Sequence, residues 1–355
     1  MSRDRRGLAV AVIGATGLVG RELLRVLEKS RLPIKELIPF SSGTKRVVVA
    51  YKGRVIRAPG PSWKKLAAVD LAFMVSSDEV AARYGPGLAE RGVWVIDNSS
   101  AFRLAPGVPL VIPEVNAADL SPRRRLIAGP NCTITGAAVA GYPLAKAAGA
   151  RAVRMASYQA VSGAGTAAVM ELLDQNSRSA APRRVLADFS RPPRAPRPRV
   201  LPRTLAANVF PQVGGFGEGG NTSEEIKAAK ELRKLWGLPS LPVSATAVRV
   251  PALRGHSLSL WLETDRPLSP DRARKMLRRA PGVRLWPEGA YPTPRDAHGT
   301  WPVHVGRVRR GTGSRELCLW VVMDNLLKGA ALNSAQIAEA LFQRGWLRPR
   351  LSAPK

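Results

Sequence analysis

One short run, VIGATGLVG, constrains the fold of this chain more than any other feature. It sets Gly14, Gly17 and Gly20 directly after an apolar stretch over 8–13 and at the start of a helical pattern over 19–30, in which Leu23, Leu24 and Leu27 share one face. A strand, a three-glycine turn and a helix in that order open backbone amides at a helix N-terminus to a pyrophosphate. The same glycines also build a tight turn that binds nothing, so the run by itself sets the local fold and leaves the ligand open. Further apolar runs at 35–40, 71–76 and 93–96 read as strands, and the last two lead into Ser-Ser or Asp-Asn-Ser-Ser. Strands alternating with helices predict an α/β fold with a Rossmann-type doubly wound parallel sheet, whose ligands bind at the carboxyl ends of the strands.

Longer strand-like stretches over 153–161, 243–250 and 257–263, with helices between them, predict a second, α+β domain on a mixed or antiparallel sheet. A length of 355 residues with 45% hydrophobic content agrees with two domains. A final helical pattern over 326–343 follows the second domain and is expected to pack back on the first. The boundaries drawn are 1–131, completed by 326–355, and 132–325. The stretch 178–203 holds eight Arg, six Pro and a single acid, Asp188, and is expected to be an exposed loop without regular structure.

Two cysteines, Cys132 and Cys318, and three histidines, His256, His298 and His304, make neither a zinc-type cluster nor a disulfide framework. No metal is expected, and any cysteine chemistry rests on a single thiol. The apolar run over 8–19 is broken by glycines, no small-residue cleavage site follows it, and no run reaches the roughly 18 apolar residues of a membrane span. A soluble, cytoplasmic protein with no membrane partner is expected. The formal charge of +29 raises nucleic-acid binding, but the arginines are spread through nearly every segment beside abundant Ala, Gly and Pro, as biased codon usage produces. Trp and Tyr are not clustered with them, and no specific nucleic-acid partner is expected. A basic field also draws in anionic substrates and cofactors.

Cys132 lies in AGPNCTITGAA, after a short strand and a Gly-Pro turn and in the first turn of an apolar helix. The unpaired amides and positive end of a helix lower a thiol's pKa and favour the thiolate. A cysteine is as readily an inert buried residue, and Cys318 in the strand-like ELCLWVV reads that way. Arg249 and His256 stand seven residues apart in RVPALRGHS. Arginine grips a carboxylate through two parallel hydrogen bonds, and histidine exchanges a proton near neutral pH. Glu224 and Lys227 in NTSEEIKAAKE share one helical face, which describes a solvated ion pair equally well. The end of the second strand, FSSGTKR, offers Ser41, Ser42, Thr44, Lys45 and Arg46 where NAD-preferring sites place an acid, and hydroxyls with cations suit a 2′-phosphate.

Taken in order, VIGATGLVG, IDNSSAFR, GPNCT, SYQAVSGAG, NVFPQVGGF, TSEEIKAAKEL, VRVPALRGHS and DNLLKGAALNSAQIAE resemble the aspartate-semialdehyde dehydrogenase family over residues 8–341. The resemblance implies NADPH-dependent reductive dephosphorylation of L-4-aspartyl phosphate to L-aspartate 4-semialdehyde through a cysteine thioester, on the route to lysine, threonine, methionine and isoleucine. It implies that Cys132 is the nucleophile, His256 the general acid/base and Gln159 the residue that orients the acyl-enzyme. Arg249 resembles the clamp on the substrate α-carboxylate, Glu224 the partner of its ammonium, and Lys227, Arg103 and Asn98 the phosphate site. Gly14, Thr16, Gly17, Leu18, Val19, Gly20, Ser41 and Ser42 are implied contacts of NADP, with Ser162, Gly163, Gly165 and Asn325 near the nicotinamide. The first set of boundaries becomes an NADP-binding domain, the second a catalytic and dimerisation domain, and the assembly a homodimer or homotetramer.

The chain departs from the family pattern in two places. Thr44 stands where many members carry an arginine, with basic residues one and two positions later, and the 178–203 stretch is unlike a typical member. A CoA-thioester reductase of the same fold, such as a malonyl-CoA reductase, would share the cysteine and the glycine turn, but the pairing of Arg249 with Glu224 suits an amino acid. The N-acetyl-glutamyl-phosphate reductases share the chemistry but not the wording of SYQAVSGAG and RVPALRGHS.

Overall fold

The computed structural model describes residues 7–44, 46–178, 190 and 195–350, so Lys45 and most of the 178–203 stretch lie outside the described residues. The chain forms two compact units. One holds Met1–Ala138, Glu231–Pro239 and Leu326–Lys355, the other Val139–Lys230 and Ser240–Asn325.

The first unit carries β1 (Leu8–Ile13), β2 (Ile34–Phe40), β3 (Val48–Tyr51), β4 (Arg54–Arg57), β5 (Leu71–Met74), β6 (Trp94–Asp97) and β7 (Leu126–Ala128). Five of these form a wholly parallel sheet in the order β2-β1-β5-β6-β7. Helices cover both faces. Leu8, Val10 and Val12 point to one side, into a cluster with Leu23, Leu24 and Leu27 of helix Leu18–Lys29 and with Leu332, Ala335, Ala338 and Leu341 of the last helix, Leu332–Gln343. Ala11 and Ile13 point to the other, against Ala81, Tyr84 and Leu88 of helix Asp78–Glu90. A strand buried on both faces has no polar side, which is why β1 reads LAVAVI. Each leucine moved from water into such a cluster contributes roughly 1.5–3 kcal/mol. Because β2 lies on one side of β1 and β5 on the other, the strand order reverses at β1 and a crevice opens at the carboxyl ends of β1 and β5.

Strands β3 and β4 form a separate hairpin that the sequence reading did not anticipate. Its turn residues, Lys52 and Gly53, have φ of 47° and 73°, the paired left-handed conformation that a two-residue hairpin turn demands.

The second unit is built on β8 (Ala152–Gln159), β9 (Val243–Arg249), β10 (His256–Glu263), β11 (Val283–Leu285), β12 (Val303–Arg310) and β13 (Glu316–Met323). The order is β11-β12-β13-β10-β8-β9, with β8 and β9 parallel, β11 and β12 parallel, and the remaining pairs antiparallel. Leu258, Leu260 and Leu262 of β10 alternate into the core, as the period of a strand requires. The described end of the 178–203 stretch has no regular structure, yet it is not simply an exposed loop. Glu171 accepts the backbone N–H groups of Arg199, Val200 and Leu201 at 2.6, 2.7 and 3.1 Å, and Leu201 is buried beside Leu172 and Leu205. Among the described residues no helix is long and apolar enough to cross a membrane.

Candidate active site

The glycine turn occupies the crevice of the first unit. Gly14 and Ala15 both donate their backbone N–H to the carbonyl of Phe40, at 3.0 and 2.9 Å, and Gly14 takes a φ of 89° that side chains avoid. A Cβ on Gly14 would run into the carbonyl of Val75, just past β5, and one on Gly20 into the backbone of Gly14 and Ala15. Packing of strand against turn and helix demands both glycines. Gly17 is different, since a Cβ there would meet only the Gly14 carbonyl, at an ordinary 3.4 Å. It caps helix Leu18–Lys29 in extended backbone without a side chain, which leaves the first-turn amides around Leu18 and Val19 accessible to an anion. Thr16 lies inside the turn, and its carbonyl accepts Arg21 Nε at 3.1 Å. The residues present therefore fit a dinucleotide pyrophosphate.

At the end of β2 the Ser41 hydroxyl donates to the Ala58 carbonyl at 2.6 Å and accepts the Gly43 N–H at 3.2 Å, so it shapes the loop from within. Ser42 and Thr44, hydrogen-bonded to each other at 2.9 Å, are exposed there together with Arg46.

Next along the sheet, Asp97 at the end of β6 is fully buried. Burial pushes its carboxyl above the usual range, while the Ser99 N–H and Oγ hold it at 3.1 and 2.7 Å. Asn98 commits its side chain to Ser334, Nδ2 to Oγ at 2.7 Å, and offers its carbonyl to Arg103 Nη2 at 2.9 Å. Arg103 is 9% exposed; Nη1 donates to Glu231 at 3.2 Å, and Nε has no hydrogen-bond partner among the described residues. An unmatched N–H on a buried guanidinium fits an anionic ligand.

Cys132 opens helix Cys132–Ala148, after β7 and an irregular connection through Gly129, Pro130 and Asn131. Asn131 caps this helix: its side-chain oxygen accepts the Thr133 N–H at 2.7 Å and its carbonyl the Thr135 N–H at 3.2 Å. The thiol of Cys132, which forms no disulfide, is half-buried at a capped helix start.

In the second unit three strand ends converge. Gln159 closes β8 and Arg249 closes β9, where the parallel register sets them side by side, and His256 opens β10. Their exposures are 1%, 5% and 0%, so any charge on them is desolvated. Ala160 ties two of them together. Its carbonyl accepts Arg249 Nη1 at 2.7 Å, and its N–H donates to His256 Nδ1 at 3.1 Å. An amide N–H can only donate, so the neutral imidazole carries its hydrogen on Nε2. Burial first, and then the Arg249 charge, lowers the His256 pKa to about 3. Gly163 faces the pair: a Cβ on it would lie 3.3 Å from Arg249 Nη1 and from His256 Nε2.

Gln159 Nε2 reaches Ser157 Oγ and Glu224 Oε1, each at 3.2 Å. Glu224 is in the first turn of helix Ser223–Trp236, with Lys227 one turn further on. The Asn325 side chain donates to Ser162 Oγ at 3.0 Å and accepts the Gly255 N–H at 2.8 Å. Gly165, at a φ of 87°, leads into helix Thr166–Ser177. Cys318 lies buried in β13 of this unit, where burial pushes its thiol up.

The first unit thus gathers the glycine turn, Asn98, Arg103 and Cys132, and the second gathers Gln159, Glu224, Lys227, Arg249, His256 and the turn of Ser162, Gly163 and Gly165 with Asn325. Sequence reasoning missed Ala160, because its contribution is entirely backbone. It also missed Glu231 and Lys234, which did carry a signal. They repeat the Glu224 and Lys227 pair seven residues later on the same helix.

A dinucleotide turn and a cysteine at a helix start share one chemistry, reduction or oxidation of a carbon carried on sulfur, and that makes the chain a nicotinamide-dependent oxidoreductase of acyl groups and aldehydes. Comparison with known proteins narrows the class. A family profile described as "Semialdehyde dehydrogenase, NAD binding domain" matches residues 9–122, and one described as "Semialdehyde dehydrogenase, dimerisation domain" matches residues 142–328. The aspartate-semialdehyde dehydrogenase of Aquifex aeolicus is 38% identical over 348 residues, 96% of this chain and 99% of that protein. That of Bacillus subtilis is 40% identical over 352 residues, 95% of this chain and 98% of the relative. A crystal structure of aspartate semialdehyde dehydrogenase II from Vibrio cholerae, complexed with ASA, matches with a TM-score of 0.88 at 35% identity, covering 95% of this chain and 98% of that one. The chain belongs to the aspartate-semialdehyde dehydrogenase family and is an enzyme of that activity. The comparisons lend no support to a CoA-thioester reductase or to a nucleic-acid-binding protein.

Proposed function

We propose that the chain reduces L-4-aspartyl phosphate to L-aspartate 4-semialdehyde with NADPH, through a thioester on Cys132, and so serves lysine, threonine, methionine and isoleucine synthesis in the cytoplasm. The observation that carries this reading is the half-buried Cys132 thiol at the start of a helix capped by Asn131, where first-turn amides favour both a thiolate and a developing oxyanion. The ASA bound by the Vibrio cholerae relative fits the product of such a reaction.

In this reading Cys132 Sγ attacks the acyl carbon and phosphate departs toward Arg103 and Lys227, with the Asn98 carbonyl holding the Arg103 guanidinium. Arg249 clamps the α-carboxylate, Glu224 takes the ammonium, and Gln159, fixed between Ser157 and Glu224, orients the acyl group. NADPH, when bound at the glycine turn, supplies the hydride. Hydride addition leaves an alkoxide on the carbon held by Cys132, and His256 steadies it with a hydrogen bond from Nε2–H. The alkoxide collapses to the aldehyde as the C–S bond breaks and returns the Cys132 thiolate, so the neutral ring gives up no proton. For His256 to act as a base on a protonated adduct in the oxidative direction, Nε2 must be the bare nitrogen, which needs the other tautomer and hence release of the Ala160 contact.

NADP is assigned over NAD because residues 41–46 hold hydroxyls and cations and no acid, with Ser42, Thr44 and Arg46 exposed. Residues 1–131 with 326–355 bind the cofactor, and 132–325 carry catalysis and pairing into a homodimer or a homotetramer. The deciding assay is phosphate-dependent reduction of NADP with aspartate semialdehyde, repeated with NAD, and NADPH oxidation with malonyl-CoA. Turnover is expected with NADP and semialdehyde. Turnover of malonyl-CoA in its place would refute the reading, and equal use of NAD would refute the cofactor assignment.

A further inference from the structure

The stripe that holds Glu224 and Lys227 continues along its helix through Glu231 and Lys234, at spacings that keep all four on one face. In the first unit the later two residues converge on Arg103. Lys234 Nζ donates to the carbonyls of Arg103 and Val108, each at 2.8 Å. Glu231, fully buried, accepts Arg103 Nη1 at 3.2 Å on one carboxylate oxygen and the Asn131 N–H at 2.6 Å on the other. Asn131 is the cap of the helix that begins with Cys132. Replacing a buried ion pair by apolar residues of similar volume often leaves a fold as stable or more so, so a buried ion pair is weak evidence of a purely stabilising role.

We propose that Glu231 is a positioning residue for the reaction: its two oxygens tie the Arg103 guanidinium to the cap of the Cys132 helix, and Lys234 holds the Arg103 backbone. The phosphate contact and the nucleophile then keep one fixed spacing. The inference rests on the reading of Arg103 as a phosphate contact. It also dictates the variant that tests it. A glutamine amide has one acceptor oxygen where the carboxylate has two, so Glu231→Gln keeps the volume but must abandon either Arg103 or Asn131.

Steady-state kinetics in the oxidative direction, with inorganic phosphate varied at saturating NADP, would compare wild type, Glu231→Gln, Arg103→Ala, the double variant and Lys230→Ala, an exposed control on the same helix. Glu231→Gln is expected to raise the KM for phosphate about tenfold, the scale of a lost charged hydrogen bond, with the KM for NADP unchanged. In the Arg103→Ala background the same substitution is expected to add less than about twofold, as for residues that act through one another. A phosphate KM for Glu231→Gln no higher than that of Lys230→Ala, or full additivity in the double variant, overturns the inference and leaves the phosphate reading standing. An unchanged phosphate KM in Arg103→Ala overturns both. If Glu231→Gln shows no cooperative melt, Lys234→Met takes its place in the same comparison, judged by the same outcomes.

Discussion

His256 accepts the backbone N–H of Ala160 on Nδ1 at 3.1 Å, and that one bond fixes which nitrogen of the neutral ring carries the hydrogen. The imidazole is neutral in the folded protein, its pKa lowered from 6.5 to about 3 by burial and then by Arg249. In the unfolded chain it takes up a proton near the ordinary value, about 6.5. The unfolded state therefore binds the extra proton between these limits, and stability is full above pH 6.5 and lost as the pH falls toward about 3. The slope from this group approaches roughly 1.4 kcal/mol per pH unit. Urea unfolding of wild type and His256→Asn between neutral and mildly acid pH should show a flatter dependence in the variant. Parallel curves would mean that His256 titrates alike in both states.

Gly163 governs the space in front of Arg249 and His256. Its backbone is not left-handed, so alanine is conformationally acceptable, but the new methyl would sit 3.3 Å from Arg249 Nη1 and His256 Nε2. Gly163→Ala is expected to lower kcat/KM by about tenfold or more while leaving the melting temperature close to wild type, since small misplacements of reacting groups are costly in rate. Wild-type kinetics in this variant would place the reacting groups elsewhere.

The glycines of the turn should separate into two kinds. Gly20→Ala forces a methyl into the backbone of Gly14 and Ala15 and is expected to cost about 1–3 kcal/mol of stability. Gly17→Ala meets only a 3.4 Å contact, so the fold should hold while NADPH affinity drops, because the methyl crowds the approach to the first helical amides. Thermal melts with and without NADPH separate the two effects, and equal loss of stability in both variants would contradict the division.

Cys132→Ala should abolish turnover with NADPH binding retained, and Cys318→Ala should leave the rate nearly unchanged. Cys318 sits within β13 with its thiol buried, so its loss is a small cavity and not a chemical one. Mass spectrometry of enzyme quenched with aspartyl phosphate checks the same point, with the acyl adduct expected on Cys132 and absent from Cys318.

The local order of the chain was legible because its causes are local. The glycine turn, the two-sided apolarity of β1, the leucine stripe of helix Leu18–Lys29 and the start of a helix at Cys132 each follow from residues within one or two turns of one another. The hairpin of β3 and β4 was local as well, but its signal, Lys52-Gly53 between two short strands, is weak beside a sheet that dominates the unit.

The amino-acid sequence by itself determined which chemistry is present: a thiol at a helix start, an imidazole and a guanidinium near one turn, and a glycine-lined entry to a helix. Tertiary structure alone decided how those groups are held, because their partners come from far along the chain. The Asn98 side chain is committed to Ser334, 236 residues away, and serves Arg103 only through its backbone. The Ser41 hydroxyl is held by Ala58, and Glu231 reaches back 128 residues to Arg103. The state of His256 depends on an amide 96 residues distant and on burial among strands that meet only when the sheet has formed. A side chain carries its ordinary pKa and its donors in its formula. Desolvation and hydrogen-bond direction exist only once distant segments exclude water together.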